Sequence, residues 1–233
     1  INLQYLIREE LAESALAFDA EGAASLLMDI KTGEILSLIS LPDYDLNVRQ
    51  EIKDSKFTNK ITKGVFELGS IFKTFTIAIA LEKRIMSPET IIKNIPKEIQ
   101  CSKFIIKEHD ELPGNLSVSD ILIRSSNIGT IKVAREVGEN NLKQFLKDLN
   151  LLNTSSLEIN EVGSPLNFNW KNKCKLETVS FGHGITTTPL QAALAYGSIS
   201  NGGFIVNPTL IKDKNVNEDK KKIISNDTSK KIN

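Results

Sequence analysis

Two apolar runs of strand length, AASLLMDI and EILSLISL, meet across Lys31-Thr32-Gly33-Glu34, and no other stretch constrains the fold as strongly. A short Gly-containing connection between such runs is a β-hairpin signal. Before it, LQYLIREELAESALAF sets Leu3, Leu6, Ile7, Leu11, Ala15 and Phe18 at helical spacing, the pattern of an amphipathic helix. After it, LPDYDLN reads as a loop, and from Phe66 to Gly203 the texture turns helical. Helices are expected from about Ser70 to Lys83, from Ser117–Ser119 with an interruption at Ser125–Asn127, over IGTIKVAREVG to Gly138, and over NLKQFLKDLN. A final helix opens at Thr188, with Pro189 in its first position and Gln191 completing a capping box, and stops at Asn201-Gly202-Gly203. FIVNPTLI reads as one more extended segment and residues 213–233 as a polar, mobile end. The order of helix, hairpin and helical block predicts an α+β fold, one domain with two lobes around a cleft.

Charge excludes several function classes. The chain carries 29 basic and 29 acidic residues, and its clustered lysines, Lys220–Lys222 and Lys230–Lys231, fall in the polar end and read as solvated charge. No basic stripe asks for nucleic acid. No apolar run is long enough to cross a bilayer. His109 and His183 are the only histidines, so neither a metal nor a cofactor site is expected. Cys101 and Cys174 lack CxxC spacing; buried or half-buried free thiols are preferred over a bridge.

The chemistry centres on FELGSIFKTF. Ser70 falls at a helix start, where a free N–H and the helix dipole favour developing negative charge. Lys73 lies one turn later on the same face, walled by Ile71, Phe72 and Phe75. Burial lowers a lysine's pKa and lets it take a proton from the serine. The serine's own N–H would then form half of an oxyanion hole. A cap followed by a solvated lysine is the plainer alternative. In LIRSSNIGT, Ser125 and Asn127 sit between two helices, where a polar turn presents a hydroxyl and a carboxamide to a cleft or only bonds local backbone. These are the only Ser-x-x-Lys and the only Ser-x-Asn in the chain, 55 positions apart, and each marks a helix boundary.

That pair resembles the first two of three boxes of the penicillin-recognising serine acyltransferases. The wider sequence resembles the transpeptidase domain of the class B penicillin-binding proteins, cell-division type. ASLLMDIKTGEILSLISLPDYDLN is similar to that family's opening hairpin, TNKITKGVFELGSIFK to its approach to the nucleophile, and SFGHGITTTPLQAALAYGSISNGG to its most recognisable non-catalytic segment. The resemblance runs from about Leu3 to Pro208. It implies a penicillin-binding protein/β-lactamase-like fold, with an antiparallel sheet and a helical subdomain. It implies Ser70 as acylated nucleophile, Lys73 as base, Ser125 as proton relay to the leaving amine, and Asn127 as substrate-peptide ligand that also helps position Lys73. The reaction implied is D,D-transpeptidation: D-alanyl-D-alanine stem peptides of peptidoglycan acylate Ser70, and a neighbouring amine takes the acyl group. β-Lactams would acylate the same serine. Division-complex membrane proteins, including a glycosyltransferase, are the implied partners, on the periplasmic side of a bacterial inner membrane.

The third box, Lys-Thr/Ser-Gly, follows the nucleophile in that family. Lys31-Thr32-Gly33 precedes it and sits in the hairpin turn, and nothing between Asn127 and Asn233 matches. The expectation is therefore an incomplete transpeptidase domain over residues 1–233: helix and hairpin in 1–45, the helical part with both boxes in 64–203, and the polar end. It would lack its C-terminal strands, leave the hairpin edge unpaired, and acylate poorly alone. A β-lactamase or D,D-carboxypeptidase of the same fold, a silent division scaffold and a β-lactam sensor are the alternatives. His183, between two glycines, reads as part of a tight loop rather than a triad base. Glu161, in a stretch similar to the division-type family, reads as structural, against the deacylating role that Glu158 and Glu161 invite. Glu67 is expected to support the Ser70 loop, and Phe66, Phe72, Phe75 and Trp170 are core or cleft-wall candidates, core preferred.

Overall fold

The computed structural model describes residues 2–45, 47–48, 55–214 and 220–233. Leu46 of the LPDYDLN loop and residues 215–219 of the polar end fall outside them. Helix α1 (Asn2–Ala17) lies against the hairpin β1 (Ala23–Met28) and β2 (Ile35–Leu41), an antiparallel pair with a register shift between Leu27 and Met28. Gln4 closes a stretch of the outer edge of β2: its amide donates to the Leu38 carbonyl at 2.7 Å and accepts the Leu38 N–H at 3.0 Å. None of the helix's residues is buried: Ile7, Leu11 and Ala15 are half-buried, while Leu3, Leu6 and Leu16 stay exposed. Strand β1 pairs with no other strand among the described residues.

The turn explains the misplaced Lys-Thr-Gly. The Asp29 carboxylate accepts the N–H groups of Lys31 at 2.7 Å and Thr32 at 2.9 Å. Gly33 has φ +78°, and a Cβ there would stand 1.9 Å from the Asn207 carbonyl oxygen. Only glycine meets both demands.

The helical lobe is built around α2 (Phe72–Glu82), whose sequence is apolar almost all round and whose buried residues include Phe72, Phe75, Ile77 and Ile79. A helix without a polar face belongs inside. Around it pack α3 (Val118–Ile123), α4 (Asn127–Val137), α5 (Glu139–Asp148), α6 (Lys175–Ser180) and a C-terminal helix, α8 (Asn226–Ile232), while α7 (Pro189–Ser200) reaches it through Tyr196. As expected, α7 opens on a Thr188/Gln191 capping box with proline in its first turn. Leu190 and Leu194 of α7, with Ile61 and Val206, form a second, smaller core against the hairpin.

Three expectations are corrected. Residues 225–232 of the polar end fold back: Ser225 caps α8, Thr228 and Ser229 are buried, and Glu82 accepts from Ser225 and Thr228, so a polar sequence is held by hydrogen bonds to the core helix. FIVNPTLI forms no strand, only single bridges from Phe204 to Lys222 and from Thr209 to Glu34. Cys101 and Cys174 are not free thiols but a disulfide, with their Cα atoms 5.7 Å apart. The sequence pattern did not reveal the hairpin of β4 (Glu98–Cys101) and β5 (Phe104–Lys107), which carries Cys101 to the start of α6. The short strands Ile91–Ile92 and Leu116–Ser117, named β3 and β6 in chain order, pair beside it.

Candidate active site

Ser70 lies in a single 3-10 turn, Gly69–Ile71, that leads into α2. Neither the turn nor α2 is capped by a side chain, so the plainer reading of Ser70 as a helix cap fails: its hydroxyl is exposed and caps nothing. Two neighbours fix the turn. The Tyr196 hydroxyl donates to the Ile71 carbonyl at 2.8 Å. The SFGHG loop runs backbone against backbone: a Cβ on Gly182 (φ +84°) would stand 2.0 Å from the carbonyl oxygen of Gly69 (φ +62°).

Lys73, one turn on, is 1% exposed and is the one cation of a largely apolar helix. A charge held in such surroundings is costly unless partnered. Burial brings the Lys73 pKa down to about 8, with the Glu108 carboxylate pulling the other way. Its Nζ donates to Ser125 twice, to the carbonyl oxygen at 2.5 Å and to Oγ at 2.8 Å. Ser125 presents both oxygens from a left-handed backbone conformation, φ +54°, which an L residue adopts only when its neighbours hold it there.

The next residues start α4. Ser126, fully buried, is its N-cap and accepts the Gly129 N–H at 2.9 Å. The Asn127 amide donates to the Lys107 carbonyl at 3.1 Å, so its bond goes to the end of β5 and not to Lys73. Beside it the Glu108 carboxylate accepts from Ser126 Oγ, Asn127 N and Ile128 N. No sequence signal singles out Glu108; in KEHDE it looks like one of several solvated acids, and only the fold of the β4–β5 hairpin brings it to α4.

The structure thus brings Lys73 and Ser125 into contact, places Ser70 one turn before the lysine, and sets Asn127 on the adjoining helix start. His183 bonds Glu67 at 3.0 Å and stacks on Phe181, at the exposed rim of the glycine loop. Glu67 therefore ties the nucleophile turn to that loop. Below it Lys175 donates to the Gly184 carbonyl and lies 4.0 Å over the Phe168 ring. Glu161 accepts the Asn59 N–H at 2.8 Å, a structural bond. Glu158 accepts from Thr209, Leu210 and Lys214; burial pushes its carboxyl up, but those bonds outweigh it and hold the pKa at about 2. Phe72 and Phe75 are core and Trp170 packs against that core, whereas Phe66, whose backbone bridges to Thr187, leaves its side chain exposed.

Comparison with known proteins points to one family. The family profile described as "Penicillin binding protein transpeptidase domain" matches residues 23–233. The chain is 30% identical over 230 residues to the "Probable peptidoglycan D,D-transpeptidase FtsI" of Caulobacter vibrioides, covering 98% of this chain and 39% of that protein. It is 35% identical over 238 residues to the "Peptidoglycan D,D-transpeptidase FtsI" of Buchnera aphidicola subsp. Baizongia pistaciae, covering 99% and 40%. Among solved structures, the transpeptidase domain of Burkholderia pseudomallei penicillin-binding protein 3 superposes with a TM-score of 0.85 at 24% identity, over 99% of this chain and 66% of that one. Penicillin binding protein 3 of Mycobacterium tuberculosis, complexed with aztreonam, gives 0.89 at 20%, over 99% and 54%. The chain spans about two fifths of the length of these curated relatives.

Proposed function

Because the chain belongs to the penicillin-binding protein transpeptidase family, class B, we propose that its parent protein cross-links peptidoglycan at the division septum through an acyl-enzyme on Ser70. The observation that carries the reading is the single buried cation of α2. Lys73 follows an exposed serine by one turn, and Ser125 occupies its hydrogen-bonding directions. A neutral lysine amine has two N–H donors and one lone pair. The two donors go to Ser125 O and Oγ, which leaves the lone pair for the proton of Ser70.

The steps follow. Lys73 takes the Ser70 proton as Oγ bonds to the carbonyl carbon of the penultimate D-alanine. The developing oxyanion is met by the Ser70 N–H at the helix start. As the C–N bond breaks, the proton passes from Lys73 through the Ser125 hydroxyl to the leaving amine, and D-alanine departs. The amine of a second stem peptide then attacks the ester, loses its proton along the same route, and regenerates Ser70. Asn127 contributes its carboxamide to the substrate's peptide group. β-Lactams acylate the same oxygen. The Cys101–Cys174 bridge supports a site outside the cytoplasm, on the periplasmic face where stem peptides and the membrane-bound division proteins are found.

The test is intact mass after brief penicillin exposure, on the protein expressed from its complete reading frame, beside Ser70→Ala. The expected result is a penicilloyl adduct that maps to Ser70 and is absent from the variant. No adduct on the folded protein refutes the enzyme and leaves a non-catalytic division scaffold. An adduct without cross-linking turnover points to a sensor, and rapid loss of the adduct to a hydrolase.

A further inference from the structure

We infer that Glu108 is a positioning residue for acyl transfer: its carboxylate seats the Ser125–Asn127 turn against Lys73. The inference rests on the acyl-transfer reading above and deepens it by adding a residue outside the boxes.

One carboxylate collects three donors. Oε1 accepts Ser126 Oγ at 2.6 Å and Ile128 N at 2.9 Å, and Oε2 accepts Asn127 N at 2.7 Å. With Ser126 Oγ taking Gly129 N, the first three N–H groups of the 11-residue helix α4 are all satisfied. The helix end also favours a negative charge at this spot. Ser126 is buried, so its hydroxyl depends on Glu108 as acceptor while itself serving as the cap. A fourth bond, from the Asn127 amide to the carbonyl of Lys107, ends on the residue just before the glutamate. Four bonds, three from the Ser-x-Asn motif and one from Ile128, therefore join this helix start to two consecutive residues at the end of β5.

Ser125 is the residue that needs this support. Upstream it is tied to α3, through Ser125 N to Leu122 O at 3.1 Å and Ser126 N to Ile121 O at 2.9 Å. Downstream the tie is Glu108. Between these anchors Ser125 keeps φ +54° and turns both oxygens to Lys73 Nζ.

Charge points the same way. Glu108 is the carboxylate whose field acts on Lys73, opposing the effect of burial. Several charges on the helices packed against α2 are engaged elsewhere: Asp120 by Ser117, Arg135 by Glu177, Asp148 by Lys221, Asp227 by Lys231, and Lys132 by two backbone carbonyls. The Glu67 carboxylate bonds His183, and Lys175 bonds the Gly184 carbonyl.

The experiment measures the acylation rate by a fluorescent penicillin against pH, with melting temperature, for wild type, Glu108→Gln and Glu108→Asp in the protein from its complete reading frame. Glu108→Gln removes the charge and one acceptor. Its rate is expected to fall about 10- to 100-fold, the cost of a reacting group misplaced by a fraction of an ångström or more. The rising limb of its profile moves to lower pH, because Lys73 without that carboxylate releases its proton more easily. Glu108→Asp keeps the charge, so its limb stays in place and part of the rate returns. A Glu108→Gln protein that only melts earlier, with limb and rate unmoved, overturns the inference. If Glu108→Gln does not fold, Glu108→Asp decides: a wild-type rate overturns the inference, and a reduced rate with an unmoved limb supports it. A wild type that forms no Ser70 adduct is instead the failure of the acyl-transfer reading itself.

Discussion

Gly182 lies outside every catalytic box, yet its replacement by alanine should disable the nucleophile. The added Cβ would meet the Gly69 carbonyl oxygen at 2.0 Å, where ordinary contact begins at 3.4 Å, so the two backbones must part by about 1.4 Å. Neither side yields easily, since Gly182 and Gly69 both have positive φ and Gly69 directly precedes Ser70. Alanine at φ +84° costs about 1–2 kcal/mol before any clash, and displacing packed backbone adds about as much again. A shift of about 1 Å at a reacting group lowers a rate about 100-fold. Gly184→Ala is the matched control. It bears the same kind of backbone strain at φ +68°, but its new methyl meets only the end of the Lys175 side chain, at 3.0 Å. Gly184→Ala should lose about 1–2 kcal/mol in denaturant melts and acylate Ser70 within about 3-fold of wild type. Gly182→Ala should lose about 2–4 kcal/mol and acylate about 100-fold more slowly in a stopped-flow penicillin assay. Equal acylation rates in the two variants would show that the loop does not hold the nucleophile turn, and the reasoning from close approach would be wrong.

Two further outcomes follow from the geometry. The Cys101–Cys174 bridge spans a sequence separation of 73 residues, so a Cys101→Ser/Cys174→Ser double variant should lose about 2–4 kcal/mol in equilibrium unfolding, and mild reductant should reproduce the loss. An unchanged midpoint on reduction refutes it. Glu158 has a folded pKa of about 2 against an ordinary 4.5, so its contribution is complete above pH 4.5 and is lost as pH falls toward 2. Glu158→Gln should therefore be about 1–2 kcal/mol less stable at neutral pH, with the gap closing on acidification; a gap that persists at low pH assigns the loss to packing.

The parts of the fold that read cleanly from the sequence were those with local causes. The Thr188/Gln191 box, the Gly138 stop and the Lys31–Glu34 turn are each decided by residues a few positions apart, and each formed as expected. Ser70, Lys73 and Ser125 could be singled out because spacing on a helix and a break between helices are also local signals. What escaped depends on contacts far apart in the chain. Glu108 reaches α4 across 18 to 20 positions through a hairpin whose strands are only four residues long. The disulfide needs the same hairpin. Residues 226–232 look like a solvated tail until Glu82, over 140 positions away, supplies acceptors for Ser225 and Thr228.

Helix α2 holds the centre of the larger core and, in its first turn, Lys73. The packing that keeps the domain folded is therefore also the solvent in which this amine titrates. Ile77, Ile79 and Phe75 make no contact with a proton in flight, but the tightness of their packing determines how much water reaches the helix. Loosening that core by warming, by mild denaturant or by a distant large-to-small substitution rehydrates the lysine before the chain unfolds. Hydration returns its pKa toward 10.5 and so depletes the minority of neutral amine that can act as base at neutral pH. Activity in such a protein would fade ahead of structure, making acylation a more sensitive gauge of core integrity than any melting curve.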